Sequence, residues 1–128
     1  MAKILTKDLI YAAPDIQREE VEIPEWNGSV FIKTMTAHEK DTFESMCTNA
    51  QGVQDMTNAR AIIAVMSVVD EDGNRIFELG DVDELNKKSG RAIDRIFTVA
   101  CRLSGLRRED MEKAVGNSSG QGGASLSV

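Results

Sequence analysis

Between Val21 and Thr36 the hydrophobic and polar positions alternate as they do in extended chain. Val21 and Ile23 share one face of a first arm, Val30 and Ile32 one face of a second, and Glu22 and Lys33 point the other way. Asn27-Gly28 lies between the arms, and this dipeptide readily supplies the two φ > 0 positions of a tight turn. The pattern predicts a β-hairpin. Pro24 has no N–H to give to a ladder, which suits an edge arm. Trp26 beside the turn is expected to pack over the end of the sheet.

Past the hairpin the period lengthens to that of a helix. Thr36-Ala37-His38-Glu39 reads as a capping box, in which hydroxyl and carboxylate satisfy two orphan N–H groups reciprocally. The helix it opens places Phe43, Met46, Cys47 and Ala50 on one predicted buried face and stops at Gln51-Gly52. Asn58 to Val69 is apolar almost all round and therefore buried. With Asp55 or Thr57 as cap, it reads as a helix to about Val65 and extended chain after it. Asp70-Glu71-Asp72-Gly73-Asn74 is turn chemistry, and Ile76-Phe77 is expected to return as the second strand of another short hairpin.

The last third is helical in pattern. Asp81-Val82-Asp83-Glu84 resembles a second capping box and predicts a short helix to about Lys88. Arg91 to Ser104 is the most clearly amphipathic stretch, with Ile93, Ile96, Phe97, Ala100 and Leu103 on one side and Arg91, Arg95 and Arg102 opposite. Gly105-Leu106 fits a Schellman ending. Near the start, Leu5, Leu9 and Ile10 permit a short helical turn that Pro14 ends, and Arg107 to Val115 permits another helix. From Gly116 the chain becomes Gly/Ser-rich, with little to offset its ordering entropy. The predicted architecture is α+β. A small antiparallel sheet packs against several α-helices in one domain over residues 1–115, followed by a disordered tail over 116–128.

Composition narrows the class. A chain of 128 residues, 41% hydrophobic and 28% charged, suffices for one compact domain. Its richest apolar run, from Ala59 to Val69, is broken by Arg60 and too short for a bilayer, and charges interrupt any signal-peptide core, so a soluble, non-secreted protein is expected. Cys47 and Cys101 stand far apart and suggest neither a disulfide framework nor a metal site. The net charge of −6 divides unevenly: residues 1–86 carry 7 basic against 17 acidic side chains, and residues 87–113 carry 8 against 4. An acidic whole argues against general nucleic-acid binding. The arginine stripe of Arg91, Arg95 and Arg102 is either a solvated face or a docking stripe for an acidic partner, including a second copy of the chain.

Catalytic chemistry finds no constellation. His38 is the single histidine and has no carboxylate or nucleophile at a meaningful spacing. The acidic turn fails as a calcium loop: with Gly73 as its sixth residue, Val68 and Leu79 fall where oxygen ligands belong. The glycines at 116, 120, 122 and 123 follow no strand and open no helix, so they form no phosphate loop. No cofactor is implied. On these grounds the chain reads as an α+β interaction domain.

Several segments together resemble the tail assembly chaperones of long-tailed, siphovirus and lambda-like, bacteriophages. They are Asp15-Ile16, the run Val21-Glu22-Ile23-Pro24-Glu25-Trp26-Asn27-Gly28-Ser29-Val30, then Met35 to Asp41, then Val68-Val69-Asp70-Glu71-Asp72-Gly73-Asn74-Arg75-Ile76-Phe77, and Leu103-Ser104-Gly105-Leu106. The resemblance spans roughly residues 8 to 115, and Asn27 stands where the family often has a second glycine. It implies a non-enzymatic protein of the infected or lysogenic host's cytoplasm, absent from the mature virion, that holds the tape measure protein and recruits tail tube protein through a frameshift-extended form. Neither a membrane nor a nucleic acid is an implied partner. Candidate client or self-association contacts are Phe43, Met46, Ile96 and Phe97, each with core packing as the alternative, together with Arg91, Arg95 and Arg102. The alternative functions are a structural virion protein of the head-tail joining or tail-terminator type and a small enzyme or ligand-binding domain.

Overall fold

The computed structural model describes residues 3–53 and 55–106. The expected helix over 107–115 and the tail from 116 onward lie outside the described residues. In order, the elements are α1 (Lys7–Ala12), β1 (Arg18–Ile23), β2 (Gly28–Lys33), α2 (Ala37–Met46), α3 (Ala59–Ser67), β3 (Val68–Val69), α4 (Val82–Leu85) and α5 (Gly90–Leu103). The fold is α+β: an antiparallel sheet in the order β1-β2-β3, with α5 packed on β1, β2 and α3.

The hairpin forms, but with a different turn. Val21 opposes Val30 and Glu19 opposes Ile32, so the inner face carries Val21, Ile23, Val30 and Ile32 as the alternation predicts. The connection is Pro24 to Asn27 rather than a two-residue turn, because Ile23 already pairs with Gly28. Pro24–Trp26 make one turn of 3-10 helix, and Asn27 N–H donates to the Pro24 carbonyl at 3.1 Å. Proline presets the φ that such a turn begins with. One left-handed residue then closes the loop, and Asn27 takes that role at φ 57°. Since β1 is paired on one side only, Pro24 sits at the end of an edge strand as expected.

The helices follow their caps. In α2 the Thr36 hydroxyl accepts from Glu39 N–H at 3.1 Å, and Glu39 Oε1 accepts from Thr36 N–H at 2.9 Å. The helix ends at Met46, earlier than expected. Phe43 and Cys47 are buried, whereas Met46 and Ala50 are exposed. Asn49 explains the early stop: its side-chain oxygen accepts from the N–H groups of Gln51 and Val53, a local turn that competes with helix. α3 runs two residues beyond Val65 and passes into β3, which pairs with β2 through Ile32 and Val68. Neither expected residue caps it. Asp55 instead turns back on Thr57, accepting from its N–H and its hydroxyl.

The second hairpin shrinks to one bridge, Val69 to Arg75, and Ile76-Phe77 form no strand. Asp70 Oδ1 accepts from the N–H groups of Asp72 and Asn74, and Gly73 takes φ 87°, so the acidic turn is closed by its own aspartate. Farther on, the capping box begins three residues earlier than predicted, at Glu78 rather than Asp81. Asp81 accepts from Glu78 N–H at 2.8 Å and closes a 3-10 turn over Leu79–Asp81, and α4 ends at Leu85 rather than Lys88. α5 is capped by the Ser89 hydroxyl and ends as expected. Leu106 N–H donates to the Cys101 carbonyl and Gly105 N–H to Arg102, with Gly105 at φ 73°: a Schellman motif.

One core results. Ile23 and Ile32 from the sheet meet Ile62, Ile63, Val65 and Met66 of α3 and Ile93, Ile96, Phe97 and Ala100 of α5. No helix of the described residues is long and apolar enough to cross a membrane.

Candidate functional site

The face of α5 opposite the core is not an open basic stripe. Arg95 reaches the hairpin loop, where its Nε lies 2.9 Å and its Nη2 3.1 Å from the two carboxylate oxygens of Glu25. Arg102, two helical turns on, brings Nη2 to 2.8 Å from both oxygens of Glu19. These bonds lay α5 antiparallel along β1, with Arg95 near the closed end of the hairpin and Arg102 near its open end. Arg95 holds the Glu25 carboxyl below its usual range, and Glu25 in turn raises Arg95. Arg91 is exposed and lines a shallow cleft with Val21, Glu22 and Val99.

The apolar candidates divide in the same way. Phe43, Ile96 and Phe97 are buried, with Phe97 also lying under the Arg60 guanidinium at 5.0 Å. Met46, at the end of α2, is 42% exposed. Of the seven residues singled out in the sequence, Met46 and Arg91 therefore present surface outside these ion pairs among the described residues, and the structure does not bring the two sets together as one site.

Sequence periodicity missed two apolar features. The first is the segment from Ile4 to Ile16. Its helix α1 forms under a Thr6 cap and stops before Pro14, yet none of its residues is buried. The second is an open groove of about 680 Å³ whose lining includes Trp26, Ile76, Phe77 and Leu85, with Asp81, Glu84 and Lys88 at its polar positions. Trp26 packs partly against the core, as expected, and leaves its remaining surface to this groove. Ile76 is 50% exposed there. The available signal was that Ile76-Phe77 is too short an apolar pair to be held as a strand without ladder partners.

Glu39 lies between Lys33 and Arg75 and is largely buried. Burial alone would raise its pKa, but hydrogen bonds from Lys33, the Thr36 backbone and Arg75 outweigh it and hold the carboxyl at about 2. Cys47 is pushed up to about 11, first by burial and then by the charge of Asp55, which keeps it a neutral thiol at pH 7. Both cysteines are buried thiols outside any disulfide. Among the described residues no three His, Cys, Asp or Glu side chains stand close enough to hold a metal ion.

The sequence profile of the family described as phage tail assembly chaperone matches residues 6–114. No curated protein sequence matches. Among solved structures, the bacteriophage HK97 tail assembly chaperone is similar in fold at a TM-score of 0.54, with 15% sequence identity over 69% of this chain and 85% of that one. A profile match that spans nearly the whole described chain is sufficient to assign kinship: this protein belongs to the phage tail assembly chaperone family.

Proposed function

We propose that the chain is a non-enzymatic assembly chaperone that binds the tape measure protein, keeps it assembly-competent in the host cytoplasm while the tail tube forms, and is absent from the mature virion. The profile match over residues 6–114 carries the reading. The surface supports it, since exposed apolar side chains such as Met46 and Ile76 offer contact to a client, whereas the buried carboxylate of Glu39 is engaged by Lys33 and Arg75. Of the residues singled out in the sequence, Met46 and Arg91 retain exposed surface for secondary contact with such a client. Recruitment of tail tube protein belongs to a longer, frameshifted form.

The test is co-expression with the tape measure protein of the same phage. The reading expects the tape measure to stay soluble and to co-purify with this chain, and mass spectrometry of purified virions to lack it. A tape measure equally soluble without the chain would overturn the chaperone role. Recovery of the chain in stoichiometric amounts from virions would instead indicate a head-tail joining or tail-terminator component. A slippery heptamer near codons 105–128, followed by an extension in the shifted frame, is the expected nucleotide signature of the longer form.

A further inference from the structure

The open groove beside Trp26 is where the structure leaves apolar surface facing solvent in a concave shape. Trp26 comes from the hairpin loop, Ile76 and Phe77 from the segment after the acidic turn, and Leu85 from α4. The groove is open to solvent and has a volume of about 680 Å³. Leu79, on the same segment as Ile76, is also exposed, at 42%. A concave surface with a half-exposed isoleucine beside Trp26 and Phe77 costs hydration free energy that a matching apolar ridge would recover.

Charge indicates the kind of ridge. The segment from Glu78 to Glu84 carries Glu78, Asp81, Asp83 and Glu84 with no cation among them. Asp81 and Glu84 stand in the lining itself, with Lys88 as the single cation there. Asp81 is committed to its turn, where it accepts from Glu78 N–H. The ion pair of Glu84 with Lys87 joins side chains 75% and 71% exposed, which solvent largely screens. An apolar trough beside an acidic lip suits an amphipathic helix whose apolar stripe, at i, i+4 and i+7, is flanked by lysine or arginine.

We propose that this groove is the client-docking site and that its ligand is a basic amphipathic helix of the client protein. This rests on the chaperone reading above. Buried apolar area supplies most of the affinity, and the acidic lip selects basic over acidic helices.

Trp26 is the chain's single tryptophan, so its emission reports directly on the groove. The probe is a synthetic helical peptide with leucines at i, i+4 and i+7 and flanking lysines, titrated into the full chain. A second peptide has every lysine replaced by glutamate, and a third has the sequence of residues 3–16. The basic peptide should change Trp26 emission saturably and bind more weakly as salt rises. Ile76→Glu should weaken it about tenfold or more, because a charge replaces a side chain that the peptide covers. Glu84→Lys should weaken it severalfold. Both positions are exposed, so melting temperatures should stay at the wild-type value.

Equal binding of the acidic peptide, or binding indifferent to both substitutions, overturns the proposal. Tighter binding of the 3–16 peptide also overturns it, since the groove would then belong to a second copy of this chain. The same variants tested for co-purification with the tape measure protein separate the two readings. Retention by Ile76→Glu with wild-type yield removes the groove and leaves the chaperone role standing, whereas failure of the wild-type chain to bind removes both.

Discussion

Arg75, beyond the acidic turn, donates from Nη2 and Nε at 2.7 and 3.2 Å to the same carboxylate oxygen of Glu39, the residue that closes the cap of α2 36 positions earlier. The other oxygen accepts from Lys33 of β2 and from Thr36 N–H. One carboxylate thus joins strand, helix cap and turn. Lys33 and Glu39 are each less than 15% exposed at the side chain, so neither partner is readily satisfied by water if the other is removed. Glu39→Ala should cost about 1–3 kcal/mol in urea unfolding, because it leaves Lys33 largely buried without its counter-charge. Glu39→Gln, which keeps acceptor and shape, should cost less. Equal stability of Glu39→Ala and the wild type would show that the network contributes nothing net.

The same carboxylate predicts a pH dependence. Its pKa falls from an ordinary 4.5 to about 2 on folding, so the folded state holds the proton less tightly than the unfolded one. The stabilisation is fully present above pH 4.5 and is lost as pH falls from 4.5 through about 2. Thermal melts of the wild type across this window should fall more steeply than those of Glu39→Gln. Parallel curves would count against it.

Arg95 and Glu25 test how α5 is held on the hairpin. Arg95→Glu places two carboxylates within reach of each other and should lower the melting temperature. The exchanged pair, Glu25→Arg with Arg95→Glu, should recover part of the loss. If the exchange is no better than the single change, the contact is incidental. Because the pair is partly exposed, the shifts should shrink as salt is added.

Core and surface candidates should separate cleanly. Ile96→Ala removes atoms from a fully buried site and should cost about 2–5 kcal/mol. Any loss of client binding in this variant should track its loss of folded protein. Met46→Ala should leave stability within about 0.5 kcal/mol, since surface changes away from special features do little. Client binding lost at unchanged stability in Met46→Ala would mark a contact residue. Unaltered binding would exclude it.

Several local features were legible in the sequence. The Thr36–Glu39 cap, the Schellman ending at Gly105-Leu106 and the two faces of α5 are determined by residues within a turn or two of each other. The alternation of Val21, Ile23, Val30 and Ile32 fixed which side of the hairpin faces inward, because a pleat has a period of two. Sequence order also carried the family resemblance, which requires no knowledge of contacts.

Tertiary structure decided what depends on partners distant along the chain. Ile76-Phe77 had the composition of a strand but only one bridge beside it, so it became groove lining. Met46 had the spacing of a core residue, yet it is 42% exposed, whereas Phe43 and Cys47 of the same helix end meet the core. Arg95 and Arg102 looked like a free basic stripe until β1 and its loop brought Glu25 and Glu19, 70 and 83 residues away, against them. Periodicity specifies which side of an element is apolar. Whether that side, or its opposite, meets another part of the chain depends on packing that no local window contains.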